Sequence, residues 1–201
     1  MKIQIKTEPL FEPLKNEDVK RQLRLDVGNT DEDLLFDSLI KTARLQAENI
    51  TGRRFIDQTW YEYYDNWPSE YFCLSNAPLS TDIKPIITYK DTDSSSITIG
   101  SSIFKTDSVS VTSRIHVDYN EDWPSETLHN VNPIRIEYTA GYGGLSTNVP
   151  EPIRHAMALM VGHWYENRED TITTFQSGGL LKIPEGSKFL LSPYTVFNNR
   201  F

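Results

Sequence analysis

The hydrophobic period of this chain changes twice along its length, and that change limits the folds open to it more than any other feature. Leu35, Phe36, Leu39, Ile40, Ala43, Ala47 and Ile50 recur at three- and four-residue spacing until Gly52, the pattern of an amphipathic helix closed by a glycine. Thr30 followed by Asp33 makes a variant of the capping box at its start. A shorter helix is predicted over Glu17 to Leu25, with Asn16 as cap and Val19 and Leu23 on one face. Pro150 and Pro152 suit a first helical turn, whose N–H groups have no intrahelical partner, and so open a third helix that runs to about Glu169. A last short helix is expected to start at Pro184 and to cover Lys188 to Leu191.

Between these flanks the period drops to two. Val109, Val111, Ile115, Val117 and Tyr119 stand at odd positions with polar residues between them, and Ile134, Ile136 and Tyr138 repeat the pattern, as half-buried strands do. Further strands are predicted over Phe55 to Tyr64, Tyr71 to Leu74, Ile83 to Tyr89 and Ile97 to Phe104, set apart by runs of turn-forming residues. The expected fold is α+β: a small helical bundle made of residues 1–54 and 141–201, interrupted by an antiparallel β insertion over 55–140. Within the insertion, the Asp-Asn-Trp-Pro-Ser-Glu of Asp65 to Glu70 recurs as Glu-Asp-Trp-Pro-Ser-Glu at Glu121 to Glu126. These are read as two similar strand-end turns, a duplicated hairpin being the alternative.

Charge follows the same division. Residues 1–54 hold ten basic and ten acidic groups and residues 141–201 five of each, whereas 55–140 hold five basic against thirteen acidic, so 5 minus 13 is the whole net charge of -8. An acidic chain of this kind is ill suited to gripping DNA phosphates, which takes clustered Lys and Arg. Apolar residues make up 38%, a share that stays there when Gly replaces Tyr in the count, against roughly 45–50% in ordinary globular chains. The thin core points to burial supplied by partner subunits.

Membrane and secretory classes fall away as expectations. The richest apolar stretch, Ile153 to Tyr165, is interrupted by Arg154, His155 and His163 and is too short to span. Met1 to Lys6 alternates Lys with Ile and has no apolar h-region. Cys73 is alone, which excludes an internal disulfide and fits a reducing cytosol.

Catalytic convergence is not visible. His155, His163 and Glu166 lie on one helical stripe, but the spacing is neither His-Glu-x-x-His nor a di-iron pattern; they are read as interface or core groups rather than ligands. Gly141-Tyr142-Gly143-Gly144 sits between a strand and a helix without a P-loop Lys, and Pro150 removes a donor that an anion would use, so it is read as a turn. Ser177-Gly178-Gly179 lacks the flanks of a nucleophile elbow and reads as a loop. Most acids of the insertion stand in turn-rich stretches and are read as a solvated face rather than a glycosidase pair. Arg53 and Arg54 are placed to complement the negative end of the preceding helix. No catalytic, cofactor or metal residue is assigned.

Two surfaces are assigned instead. The helix after Pro150 carries a core stripe of Ile153, Met157, Met160, Val161 and Trp164, and a second stripe of His155, Leu159, Gly162, His163 and Glu166 for a neighbouring subunit, where Gly162 permits close approach. The stretch from Thr171 to Phe201 is read as a docking arm, with Tyr194, Val196, Phe197, Arg200 and Phe201 as anchors of the type enriched at interface hot spots. The alternative is a tail folded back on its own helices.

Several segments, in order, resemble the tailed-phage head-tail connector family, the adaptor or head-completion proteins of phages and prophages. They are Leu34-Leu35 through Ala43 to Glu48-Asn49-Ile50-Thr51-Gly52-Arg53-Arg54-Phe55-Ile56, Gln58-Thr59-Trp60, Ala77-Pro78-Leu79, Ile136 to Gly143, Val149 to Arg154, His163 to Glu169, and Leu190 to Tyr194. The resemblance implies a non-enzymatic virion part without cofactors. It implies a dodecamer-like ring of identical subunits docked on the portal protein, extending the channel and receiving the next tail or stopper protein, with DNA passing through without specific binding and no membrane contact. It places the protein in the virion neck, and in the bacterial host cytoplasm during assembly. The rival reading is an acidic β-module carbohydrate-binding or glycoside hydrolase-like domain on a helical scaffold.

Overall fold

The structure, a computed structural model, describes residues 2–168 and 184–196. Among them are four α-helices, α1 (Asn16–Gln22), α2 (Asp33–Thr51), α3 (Glu151–Glu166) and α4 (Glu185–Leu191). The strands are β1 (Lys2–Thr7), β2 (Gln58–Tyr64), β3 (Tyr71–Cys73), β4 (Ile86–Lys90), β5 (Ser96–Thr98), β6 (Phe104–Asp107), β7 (Arg114–Val117) and β8 (Ile134–Ala140). The fold is thus mixed α and β. It divides into two compact units, one made of the chain up to Leu10 with Gly52–Gly144 and Val196, the other of Phe11–Thr51 with 145–168 and 184–195.

In the helical unit α3 packs against α1, α2 and α4. The apolar stripe of α2 buries Phe36, Ile40, Ala43 and Ala47, and the core stripe of α3 buries Ile153, Met157, Met160 and Val161; each large side chain so buried contributes about 1.5–3 kcal/mol. Helix boundaries lie close to the sequence reading. α1 starts at Asn16, with Lys15 rather than Asn16 in the cap position. α2 starts at Asp33, after a turn in which the Asp33 N–H bonds the Thr30 carbonyl at 3.2 Å, and it stops where Gly52 takes a positive φ of 67°. α3 ends at Glu166: the Asn167 N–H still bonds the His163 carbonyl at 3.1 Å, but Asn167 leaves the helical conformation (φ -118°, ψ 76°) and its side-chain amide caps the same carbonyl at 2.8 Å.

Charge inside this unit is paired. Arg44, 2% exposed, donates through Nε and Nη2 to the Glu12 carboxylate at 2.7 and 3.3 Å and through Nη1 to Glu48 at 3.3 Å. Lys20, buried on α1, pairs with Asp33 at the start of α2. A buried cation left unpaired would be costly, so these contacts fix how α1, α2 and the incoming chain fit together.

The β unit holds two antiparallel sheets, one ordered β1-β2-β8-β4-β5 and one ordered β3-β7-β6. β8 is central, and its alternation sends Ile134, Ile136, Tyr138 and Ala140 into a core shared with Phe72, Leu74, Ile87, Phe104 and Ile115. The register opposes Trp60 to Tyr138 and Glu62 to Ile136, so β2 sends Gln58, Trp60, Glu62 and Tyr64 to that same side.

Three expectations change here. Residues 2–7 form an edge strand of this sheet, where the sequence reading gave them to the helical frame. The long strand expected over Val109 to Tyr119 is only Arg114–Val117. Ahead of it, the Asp107 carboxylate accepts the N–H groups of Val109 and Ser110, both at 3.0 Å, and bends the chain into a turn that leaves Val109 96% exposed. The single strand expected over Ile97 to Phe104 is split into β5 and β6 by the bend at Gly100 to Ser102.

Candidate interaction surfaces

The α3 stripe assigned to a neighbouring subunit divides in two. Gly162 is buried, and a Cβ built on it would lie 3.3 Å from Leu23 Cδ2 after α1; the close approach it permits is therefore within the chain. Leu159 is half-buried, and its Cδ1 stands 3.9 Å from where a Cβ on Gly186 of α4 would lie. His155 and Glu166 are exposed, and His155 lines a shallow cleft of about 220 Å³ with Asp18 and Arg21 of α1. His163 is half-buried: its Nδ1 lies 3.5 Å from the Asn167 amide, and its Nε2 is enclosed without a hydrogen-bond partner among the described residues. Trp164, given to the core stripe, is only half-buried and lines an apolar cleft of about 350 Å³ with Leu35 and Leu39.

Of the docking-arm anchors, Phe197, Arg200 and Phe201 lie outside the described residues, as do Thr171 to Thr174 and Ser177 to Gly179. Tyr194 is half-exposed in a 3-10 turn after α4. Val196 is 9% exposed, and its Cβ stands 3.6 Å from where a Cβ on Gly52 would be. Its side chain packs beside Gly52 of its own chain.

The twin Trp-Pro turns come together. The Trp67 and Trp123 rings stack with centroids 5.4 Å apart and planes 6° from parallel, and both meet Phe72 edge-on, at 6.1 and 5.2 Å. Trp67 also meets the Tyr89 ring edge-on at 5.5 Å. They are two separate strand-end turns clamped by their repeated Trp. The clamp brings together two turns that carry the exposed carboxylates of Asp65, Glu70, Glu121, Asp122 and Glu126, and none of them forms an ion pair with a described cation. Burial, then the Glu126 carboxylate, raises the Tyr89 phenol above its ordinary range.

One acid of the insertion departs from the solvated-face reading. Glu62 is 0% exposed and accepts four hydrogen bonds: from Tyr64 Oη at 2.9 Å, Ser75 Oγ at 2.8 Å, the Ser75 N–H at 3.0 Å and Tyr138 Oη at 2.8 Å. The Asn76 amide donates to Tyr138 Oη at 3.1 Å and accepts from Arg54 Nε at 2.8 Å, with the Arg54 guanidinium 4.9 Å over the Trp60 ring. Burial, then the Glu62 charge, holds the Tyr138 phenol well above its usual range. Arg54 serves this network, which its reading as a helix-end charge did not foresee.

The outward face of the five-stranded sheet has different chemistry. Lys6 Nζ meets Glu137 at 2.5 Å and stands 5.4 Å over the Tyr61 ring, while Arg135 lies 5.0 Å over the same ring and Tyr63 is 6.4 Å away. At the turn after β8, a Cβ on Gly141 would fall 2.5 Å from the Asp57 nitrogen, and the Asp57 N–H bonds the Gly143 carbonyl at 3.1 Å. The glycines there admit the chain itself. Burial, then nearby Asp82, raises the Asp57 carboxyl above its ordinary range.

Among the described residues no group of three or more His, Cys, Asp or Glu is placed to hold a metal ion, and no helix is long and apolar enough to cross a membrane. What the arrangement offers is surface: a charged helical stripe, an acidic double turn and a basic, tyrosine-bearing sheet face.

The sequence matches no protein-family model and no curated protein. The fold does have counterparts, among them chains in solved structures of gene transfer agent particles and their necks. The chain is similar to one in the neck of an empty gene transfer agent (GTA) particle computed with C6 symmetry, at a TM-score of 0.77 and 19% identity over 100% of both chains. It is similar to one in the virion of the native gene transfer agent particle, at 0.75 and 18% over 98% of this chain and 96% of that one. A third, in the neck of the native particle computed with C12 symmetry, gives 0.70 and 16% over 100% of each. At such identities the likeness is one of fold, and it agrees with the head-tail connector resemblance carried by the sequence segments.

Proposed function

We propose that this chain is a structural protein of the neck of a tailed phage or phage-like particle. Copies of it form a ring under the portal, extend the DNA channel and receive the next tail component, without catalysing a reaction. The observation that carries the reading is the likeness to a particle-neck chain over the full length of both chains at a TM-score of 0.77; necks computed with C6 and C12 symmetry favour a ring of six or twelve copies. The exposed part of the α3 stripe, His155 and Glu166 with half-buried Leu159 and His163, is the helical unit's contact with a neighbour, Gly162 being taken by α1. Tyr194, Phe197, Arg200 and Phe201 remain the anchors for the portal or an adjacent subunit. The carbohydrate reading has less in its favour, because Trp67 and Trp123 stack on one another and the Arg54 guanidinium lies over the Trp60 ring, rather than these rings offering free faces to a sugar.

Antibody-gold labelling of purified particles tests the assignment. Decoration is expected at the junction of head and tail, and particles made without the protein should accumulate as tail-less heads. Label on the capsid wall or at the distal tail, or normal tailed particles in its absence, would overturn the reading.

A further inference from the structure

The β unit carries opposite charge on its two sides. On the core side of the five-stranded sheet, Tyr89 and Ile134 face inward as a register pair, and the Trp67–Trp123 clamp packs against Tyr89. The acidic double turn is therefore tied to that side. On the outward side, alternation places Lys2, Lys90 and Arg135 with Tyr61 and Tyr63, and Lys6 joins them through its contacts with Glu137 and Tyr61. Four cations against the single carboxylate of Glu137 leave this face at plus three, on a chain whose net charge is -8. The three lysines are exposed, and the tyrosines and Arg135 are half-exposed.

We propose that the outward sheet face of one copy receives the acidic double turn of the next copy, so that the β units join head to tail around the ring. The inference rests on the ring reading above and adds to it a contact. Charge complementarity selects the occupant: a surface of plus three, with tyrosine rings already engaged by cations, meets five carboxylates that form no ion pair with a described cation. Topology requires that the occupant come from outside, because the double turn sits on the opposite side of its own sheet and cannot fold over onto the outward face. Two unlike patches on opposite sides of one unit make a heterologous contact, the type that closes into rings when the rotation allows.

Charge reversal tests this with the full chain. A face variant carries Lys6→Glu, Lys90→Glu and Arg135→Glu; a turn variant carries Glu70→Lys, Glu121→Lys and Asp122→Lys. Each is first checked for unchanged circular dichroism. In sedimentation velocity at 0.05 M salt the wild type should assemble, and each variant alone should associate at least about tenfold more weakly, since like charges then face one another. An equimolar mixture of the two, or one chain carrying both sets, should recover assembly. Assembly of either variant at wild-type strength, or loss without recovery in the mixture and the double-set chain, would overturn the contact while leaving the neck assignment to its labelling test. A wild type that stays monomeric up to millimolar concentration would overturn the contact and the ring together. Should the face variant instead lose affinity for a 30-base-pair duplex and assemble normally, the face would be a DNA surface and the proposal wrong.

Discussion

Glu62 shows why a charge cannot be judged from composition. It lies on the core side of β2 with Gln58, Trp60 and Tyr64, and polar residues at core positions blur the period-two signal that would have placed it inside. Its carboxylate is fully satisfied, so removing one acceptor leaves buried donors facing an amide. Glu62→Gln should cost about 1–3 kcal/mol, read as a lower denaturation midpoint with unchanged slope; a midpoint equal to wild type would show the network to be dispensable. In the helical unit Glu32 accepts the Tyr165 hydroxyl and Arg168 Nη2, both at 2.6 Å, and these bonds hold its carboxyl below the ordinary range, the Tyr165 bond first and Arg168 second. Because the folded value is the depressed one, this stability is present above the unfolded carboxyl's range near pH 4.5 and is lost as pH falls through the lower folded value. The denaturation midpoint, followed by tyrosine fluorescence, should therefore fall more steeply on acidification in the wild type than in Glu32→Gln, which lacks this contribution at every pH, and the two should converge at low pH. Identical acid limbs would sink the assignment.

At the scale of elements, α2 and α3 were legible because each repeats one face over several turns and each has a local stop, Gly52 in one case and Asn167 in the other. Strands were less so. β1 is a single alternation, Lys2 to Lys6, with both of its isoleucines partly exposed at a sheet edge, so nothing in its own sequence says that β2 covers one side of it. The overlong strand before β7 failed for the opposite reason: Val109, Val111 and Tyr119 alternate correctly but flank turns held by Asp107 and Asp118. Contact between the twin turns depends on spacing in three dimensions, and the repeated hexapeptide signals only that both are turns. The α3 stripe illustrates a third limit, since a small residue marks close approach without saying to what. Gly162→Leu should lower the stability of the isolated chain by about 1–3 kcal/mol through overlap with Leu23. A variant that melts like wild type yet fails to assemble would return Gly162 to the subunit interface.

For the molecule as a whole, the charge of -8 arises in one segment, but its acids do three different things. Glu62 is a buried acceptor. Asp91, Asp107 and Asp118 hold turns: Asp91 accepts the N–H groups of Asp93 and Ser95, Asp107 bonds Ser110, and Asp118 pairs with Lys105 at 2.9 Å. A third group, including Glu70, Glu121 and Asp122, stands in solvent without an ion pair to a described cation. Surface charges of that kind contribute little to folding, usually within about 0.5 kcal/mol, yet they set the field that an assembling neighbour or passing DNA meets within about 10 Å at 0.1 M salt. Changing Glu70, Glu121 and Asp122 to Gln, Gln and Asn should thus leave the helical dichroism and melting curve in place while weakening self-association at low salt and flattening its salt dependence. Adding Glu62→Gln to the same set should bring the melting curve down. If the three surface changes alone collapsed the fold, the double turn would be a structural clamp held by its charges; if they left association and its salt dependence untouched, the acidity would have no part in assembly.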